Sequence, residues 1–182
     1  LAVRAVVSQP LNVTRGPPAQ LVVSNQPGLA DGGRPFRAQP AVQLQDAGGN
    51  VVETENSTAV TVSLVLDNAT SPTAELWSSF DFTTTMVAGT ATWTDLAIDL
   101  AGLGYVLRFN ASIDPSDVPL SGPSIDSEVF SVGVGPTARL VVRTEPDGAR
   151  GGHAFTSQPV IELQDAGGNR NVEDSHSTVT VY

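Results

Sequence analysis

The chain contains no lysine and no cysteine, and each absence removes a class of chemistry. Without lysine there is no Schiff-base nucleophile and no P-loop ammonium to grip a phosphate. Without cysteine there is no disulfide framework, no thiolate nucleophile and no cysteine-ligated zinc. Positive charge is scarce as well: nine arginines (Arg4, Arg15, Arg34, Arg37, Arg108, Arg139, Arg143, Arg150 and Arg170) face 19 acidic residues, giving a net charge of −10. The arginines are scattered and form no basic stripe, so no nucleic-acid partner is expected. Apolar runs fall well short of the roughly 20 residues that a membrane helix needs, and no membrane segment is expected in this window.

Helical periodicity is nearly missing too, and strand signals take its place. Leu21–Val23, Val42–Gln45, Val60–Leu66, Thr90–Thr94, Tyr105–Phe109 and Val129–Val132 are short, rich in β-branched or aromatic residues, and often alternate apolar with polar. Gly and Pro clusters separate them, as at Gln26-Pro-Gly28, Asp31-Gly-Gly33 and Ser71-Pro72. About seven strands with turns in just over a hundred residues predict a two-sheet sandwich of immunoglobulin-like type, with a barrel as the alternative.

The chain also repeats itself at an offset of 119 residues. Ala19-Gln-Leu-Val-Val23 returns as Ala138-Arg-Leu-Val-Val142, and Gln39-Pro-Ala-Val-Gln-Leu-Gln-Asp-Ala-Gly-Gly-Asn50 as Gln158-Pro-Val-Ile-Glu-Leu-Gln-Asp-Ala-Gly-Gly-Asn169. The register runs without a gap from Ala19/Ala138 to Ser63/Tyr182, and 21 of these 45 pairs are identical. Self-similarity at a fixed period is the mark of an array, so the expected organisation is a window from a longer repeat protein. Residues 1–17 read as the tail of one module, 18–136 as a complete module, and 137–182 as the first part of a third. The third copy stops inside an apolar alternation and is expected to need further strands to fold. Gly16-Pro-Pro18 and Gly135-Pro-Thr137 mark the handovers, where proline predicts stiff linkers of about three residues.

The segments Ala19–Val23, Gln39–Asn50, Val87–Ile98 and Ala101–Phe109 resemble the bacterial-type immunoglobulin-like repeats found in tandem in large surface proteins. Invasin-like adhesins and the long ectodomains of some algal and protist surface proteins carry similar modules. The resemblance implies an all-β fold of tandem immunoglobulin-like β-sandwich modules acting chiefly as spacers. It implies as partners the neighbouring modules of the same chain and other copies or subunits of a fibre or surface assembly. The chain departs from the pattern at Thr70–Phe82 and at Asp114–Ser127, where a specific role would sit.

Four tripeptides fit the N-glycosylation acceptor pattern, at Asn12, Asn56, Asn68 and Asn110. Eight asparagines with 33 serines and threonines would give roughly 1.5 such sites by chance. The excess favours N-linked glycans and an extracellular or cell-surface location; the alternative is accidental sequons in a Ser/Thr-rich β-protein. Trp77, Phe80 and Phe82 form the candidate partner contact, unless their alternation turns some of them inward to cap the core. Trp93 and Tyr105 lie on regular strand patterns and are read as core.

Asp46–Asn50 and Asp165–Asn169 read as structural turns, having too few spaced carboxylates for a calcium loop. Calcium at Asp114, Asp117, Asp126 and Glu128 is an alternative to a solvated acidic loop, which is preferred because no Asp-x-Asp spacing occurs. Catalysis is not expected: His153 and His176 correspond to Arg34 and Ser57 in the complete module, so neither a triad nor a metal site recurs. No cofactor or catalytic residue is therefore assigned. The leading expectation is a structural glycoprotein forming a stalk, fibre or filament. An adhesion or carbohydrate-binding module using Trp77–Phe82 comes second, and an accessory segment of a secreted enzyme third.

Overall fold

A computed structural model describes residues 7–112 and 122–180. It is all-β, with no helix among the described residues and thirteen strands in several sheets. One sheet has the order β1(Pro18–Asn25), β3(Ala41–Asp46), β7(Thr90–Thr92). The other large sheet runs β2(Ala30–Asp31), β11(Phe130–Gly133), β9(Gly102–Ser112), β4(Ala59–Val65), β6(Thr83–Thr85), with β10(Ser124–Asp126) also paired to β9. Short β5(Leu76–Trp77) and β8(Ala97–Ile98) pair with each other, as do β12(Arg139–Thr144) and β13(Val160–Gln164).

Alternation explains why these segments pair as they do. In β3, Val42, Leu44 and Asp46 are buried while Gln43 and Gln45 are partly open; in β4, Val60 and Val62 point inward between exposed Thr61 and Ser63. Tyr105, Leu107, Phe109 and Ala111 give β9 the same period. A strand with one apolar face must cover it, and the inner faces of the two large sheets meet in a single core. Trp93, just past β7, packs on Phe109 of β9 with ring centroids 5.2 Å apart, joining the sheets. Trp93 and Tyr105 are both core residues, as the strand pattern predicts. The arrangement is consistent with a β-sandwich.

All six predicted strands are present, whereas the two-residue strands β2, β5 and β8 are not legible from periodicity. Side chains hold β5 and β8 in place. Asp95 accepts from Ser78 Oγ at 2.7 Å and the Ser79 amide at 2.6 Å, while Asp99 Oδ1 accepts from the Glu75 amide at 2.7 Å. Thr70–Phe82 is thereby sewn to the β7–β8 connection through Asp95 and to the β8–β9 connection through Asp99.

The repeated segments share more than sequence. β12 pairs β13 in the register of β1 with β3, including the irregularity at Val23/Asn25 and its counterpart at Val142/Thr144. Yet nothing comparable to the opposing sheet covers β12 and β13 among the described residues. Leu140 is 57% exposed where Leu21 is 6%, and Phe155 is 43% exposed where Phe36 is 3%.

Candidate functional site

The site with the most built geometry is the junction where the Asp165–Asn169 turn meets the central module. Each pentapeptide turn is organised by its first residue. Asp46 Oδ1 accepts from the backbone amides of Gly48 at 2.9 Å and Asn50 at 2.8 Å, and the Asn50 amide closes onto the same carboxylate. Asp165 binds Asn169 in the same way, at 2.8 Å to its backbone and 3.0–3.1 Å to its side chain. The second oxygen reaches the incoming linker: Gly16 N–H donates to Asp46 Oδ2 at 2.8 Å, and Gly135 N–H to Asp165 Oδ2 at 2.8 Å. Reading the turn as structural is correct as far as these bonds go.

The second turn does more. Asn169 presents its side-chain amide edge to the backbone of the loop before β9, with Oδ1 accepting from Ala101 N–H at 2.8 Å and Nδ2 donating to Asp99 C=O at 2.7 Å. That loop is prepared to receive it. Tyr105 Oη donates to Leu100 C=O at 2.9 Å and Ser71 Oγ to Ala101 C=O at 2.8 Å, so the groups left for Asn169 are the Asp99 carbonyl and the Ala101 amide. A core tyrosine thus positions a surface contact.

Glycine makes the approach possible. A side chain on Gly167 would collide with Asp99 C=O and the Gly33 amide, and one on Gly32 with the Asn169 side chain and Asp165. Neither residue lies in the left-handed region, so closeness rather than backbone conformation demands glycine there. Gly32 and Gly33 are fixed in turn by donating to Gly133 C=O and Ile98 C=O, both at 2.9 Å.

The linker itself is tied down. It spans residues 134–138 rather than the three expected, because β11 ends at Gly133, where it pairs β2, and β12 begins only at Arg139. Asn171 Nδ2 donates to Thr137 Oγ1 at 3.2 Å, and Thr137 Oγ1 donates to Asp174 at 2.7 Å. The Thr137 donation, with those of the Ser177 amide and hydroxyl and the His176 amide, holds the Asp174 carboxyl far below the usual carboxylate range. A cavity of about 290 Å³ adjoins the junction, lined among others by Gly33, Glu75, Trp77, Asp99, Arg139 and Ala166.

The other candidates are dispersed. Trp77, Phe80 and Phe82 are all exposed, so none of them caps the core. Trp77 lines the junction cavity, whereas Phe80 lines a separate groove with Thr83, Trp93 and Asp95, and Phe82 C=O accepts from Trp93 Nε1 at 3.1 Å. Asn12, Asn56, Asn68 and Asn110 are all exposed, Asn56 accepting from the Ala88 amide at 2.9 Å.

Asp126 is held by Arg108 through two bonds of 2.7 Å, which lowers the aspartate pKa and occupies its carboxylate. Asp114 and Asp117 lie outside the described residues, as do Arg4 and Tyr182. Among the described residues no group of three His, Cys, Asp or Glu side chains is placed to hold a metal. No helix there is long and apolar enough to cross a membrane. His153 and His176 are exposed and well apart in the chain.

No protein-family model matches the chain, and no curated protein matches it. The functional reading therefore rests on the junction and the repeat.

Proposed function

We propose that this chain is part of a structural repeat glycoprotein of the cell surface or extracellular space. Immunoglobulin-like β-sandwich modules, repeating every 119 residues, stack end to end into a stalk, fibre or filament, and none of them is an enzyme. The observation that supports this most is the seating of the Asp165–Asn169 turn on Gly32, Gly33 and Asp99–Ala101. Flexible domain strings do not need a glycine-lined, hydrogen-bonded seat between units; a rod that resists bending does. Tension along such a rod loads the terminal strands and the junction bonds together. The four exposed sequons agree with N-linked glycans outside the cell.

Intact mass of the native protein, with a peptide map before and after N-glycan removal, tests the proposal. A mass many times that of one module, near-copies of Gln-Asp-Ala-Gly-Gly-Asn, and sugar on Asn56, Asn68 or Asn110 are the expected results. A short chain without sugar would sink the reading.

A second reading, adhesion through the Thr70–Phe82 insertion, draws on Phe80, a residue 76% exposed beside a threonine-rich groove. Glycan-array binding by the intact chain, lost in Phe80→Ala, is its expected signature. Absence of binding leaves the module as a spacer.

A further inference from the structure

We infer that the Asp46–Asn50 turn is a docking plug, and that its occupant is a second copy of this module, seated through that copy's Gly32, Gly33 and Asp99–Ala101. The inference deepens the array reading and rests on it. The structure contains both halves of one contact, with the plug present twice and the seat complete once. At Asp165–Asn169 the plug is engaged with that seat. At Asp46–Asn50 the same five residues keep the aspartate–asparagine bonds, add a Gly48 amide donation to Asp46 Oδ1, and present Ala47, Gly48, Gly49 and Asn50 to solvent. Asn50 Nδ2 is turned onto Asp46 as Asn169 Nδ2 is onto Asp165, and Asn50 Oδ1 accepts nothing from the described residues. In the engaged copy, that oxygen accepts the Ala101 amide.

Gly48 adds an independent argument. It lies outside the left-handed region, and a Cβ there would meet only its own turn, at 3.2 Å from Asn50 Nδ2 and 3.3 Å from Asp46 Oδ1. Gly167, in the same place in the engaged turn, abuts the seat's backbone. A contact of this kind is heterologous: plug and seat are different surfaces, so it propagates along a line instead of closing into a dimer. Gly151 and Gly152, which stand where Gly32 and Gly33 stand in the central module, have open space beside them, free for the next plug.

The test duplicates residues 18–136 between residues 136 and 137, preserving the 119-residue spacing and leaving every existing segment in place. The inserted copy's Asp46–Asn50 turn then faces the leading copy's seat, while Asp165–Asn169 faces the inserted copy's. Hydrogen–deuterium exchange of the peptide containing Ala101 is read by mass; because the two copies have identical sequence, it reports both seats at once.

One slow population is expected, and Asn50→Ala in the inserted copy should make half of that peptide exchange about tenfold faster, as loss of one hydrogen bond predicts. Two equal populations in the unmutated duplication would overturn the inference. So would an Asn50→Ala variant that stays uniformly slow. Near-ultraviolet circular dichroism establishes that each variant is folded. Failure here leaves the native mass and glycan map untouched, so the docking inference and the array proposal fail separately.

Discussion

The two copies of the repeated segment bury opposite things. In residues 19–63 the strands are covered and the turn is open; in residues 138–180 the turn is seated and the strands are open. Gln39 shows the same inversion on a small scale. Its amide bridges Phe36 C=O and Leu96 C=O at 3.0 Å each, whereas Gln158 has kept only the Phe155 carbonyl, also at 3.0 Å. Two segments alike at 21 of 45 positions thus make two separable contacts, one with the opposing sheet and one between the turn and the loop before β9. The proposed array would need both, strand burial to make each unit and turn burial to join units.

Substitution at paired positions breaks this comparison most sharply in the core. Leu21→Ala should cost about 2–5 kcal/mol, since it empties a buried site between sheets. Leu140→Ala, at the matching exposed position, should fall within about 0.5 kcal/mol of the parent. Urea unfolding followed by tryptophan fluorescence measures both, and equal costs would show that the two strand pairs are equally covered.

Next comes the glycine pair. Gly167→Ala places a methyl against Asp99 and Gly33, and overpacking of this kind costs roughly 1–3 kcal/mol, paid by the junction rather than the core. Accelerated proteolysis within residues 134–138 is the expected readout. Gly48→Ala should leave proteolysis of this chain unchanged, because its methyl requires only a small shift in its own turn. Asn169→Ala against Asn50→Ala follows with a smaller gap. Asn169 joins turn to seat by two bonds of 2.7 and 2.8 Å, and their loss should cost on the order of 1–3 kcal/mol at the junction. Ala101 amide exchange should respond to Asn169→Ala and not to Asn50→Ala.

How much of this was legible in the sequence follows from what kind of interaction each part uses. Strands with a single apolar face, such as Val42/Leu44 and Tyr105/Leu107/Phe109, betray themselves by period two. The repeat was legible because alignment of a chain with itself needs no physics. The seat was not. Its recognition groups are backbone atoms of Asp99 and Ala101, exposed by the way Tyr105 and Ser71 occupy the neighbouring carbonyls, and backbone groups carry no residue identity. The plug was visible but over-explained: Asp and Asn in a Gly-Gly turn are satisfied by turn chemistry alone. Only the φ of Gly48 and Gly167, known from coordinates, reveals a glycine kept for closeness.

Acid gives the finest comparison. Asp46 has its pKa lowered from 3.8 to about 2, first by the Gly16 amide, then by the Asn50 side chain and the Asn50 and Gly48 amides, all of which donate to the ionised form. A carboxyl depressed in the folded state contributes stability that is present above its unfolded pKa and disappears as pH falls through the folded one. For Asp46 that window runs from about 4 down to about 2. Glu55, Asp95, Asp126 and Asp174 are shifted in the same direction by hydrogen bonds, so the melting temperature of the whole chain should fall across the acid range. Asp46→Asn should make that fall shallower between pH 4 and 2, while lowering stability at neutral pH. A slope unchanged by Asp46→Asn would mean that the Gly16 amide does not distinguish the folded turn from the unfolded chain. The tie between Gly16 and Asp46 would then add nothing to the stability of the fold.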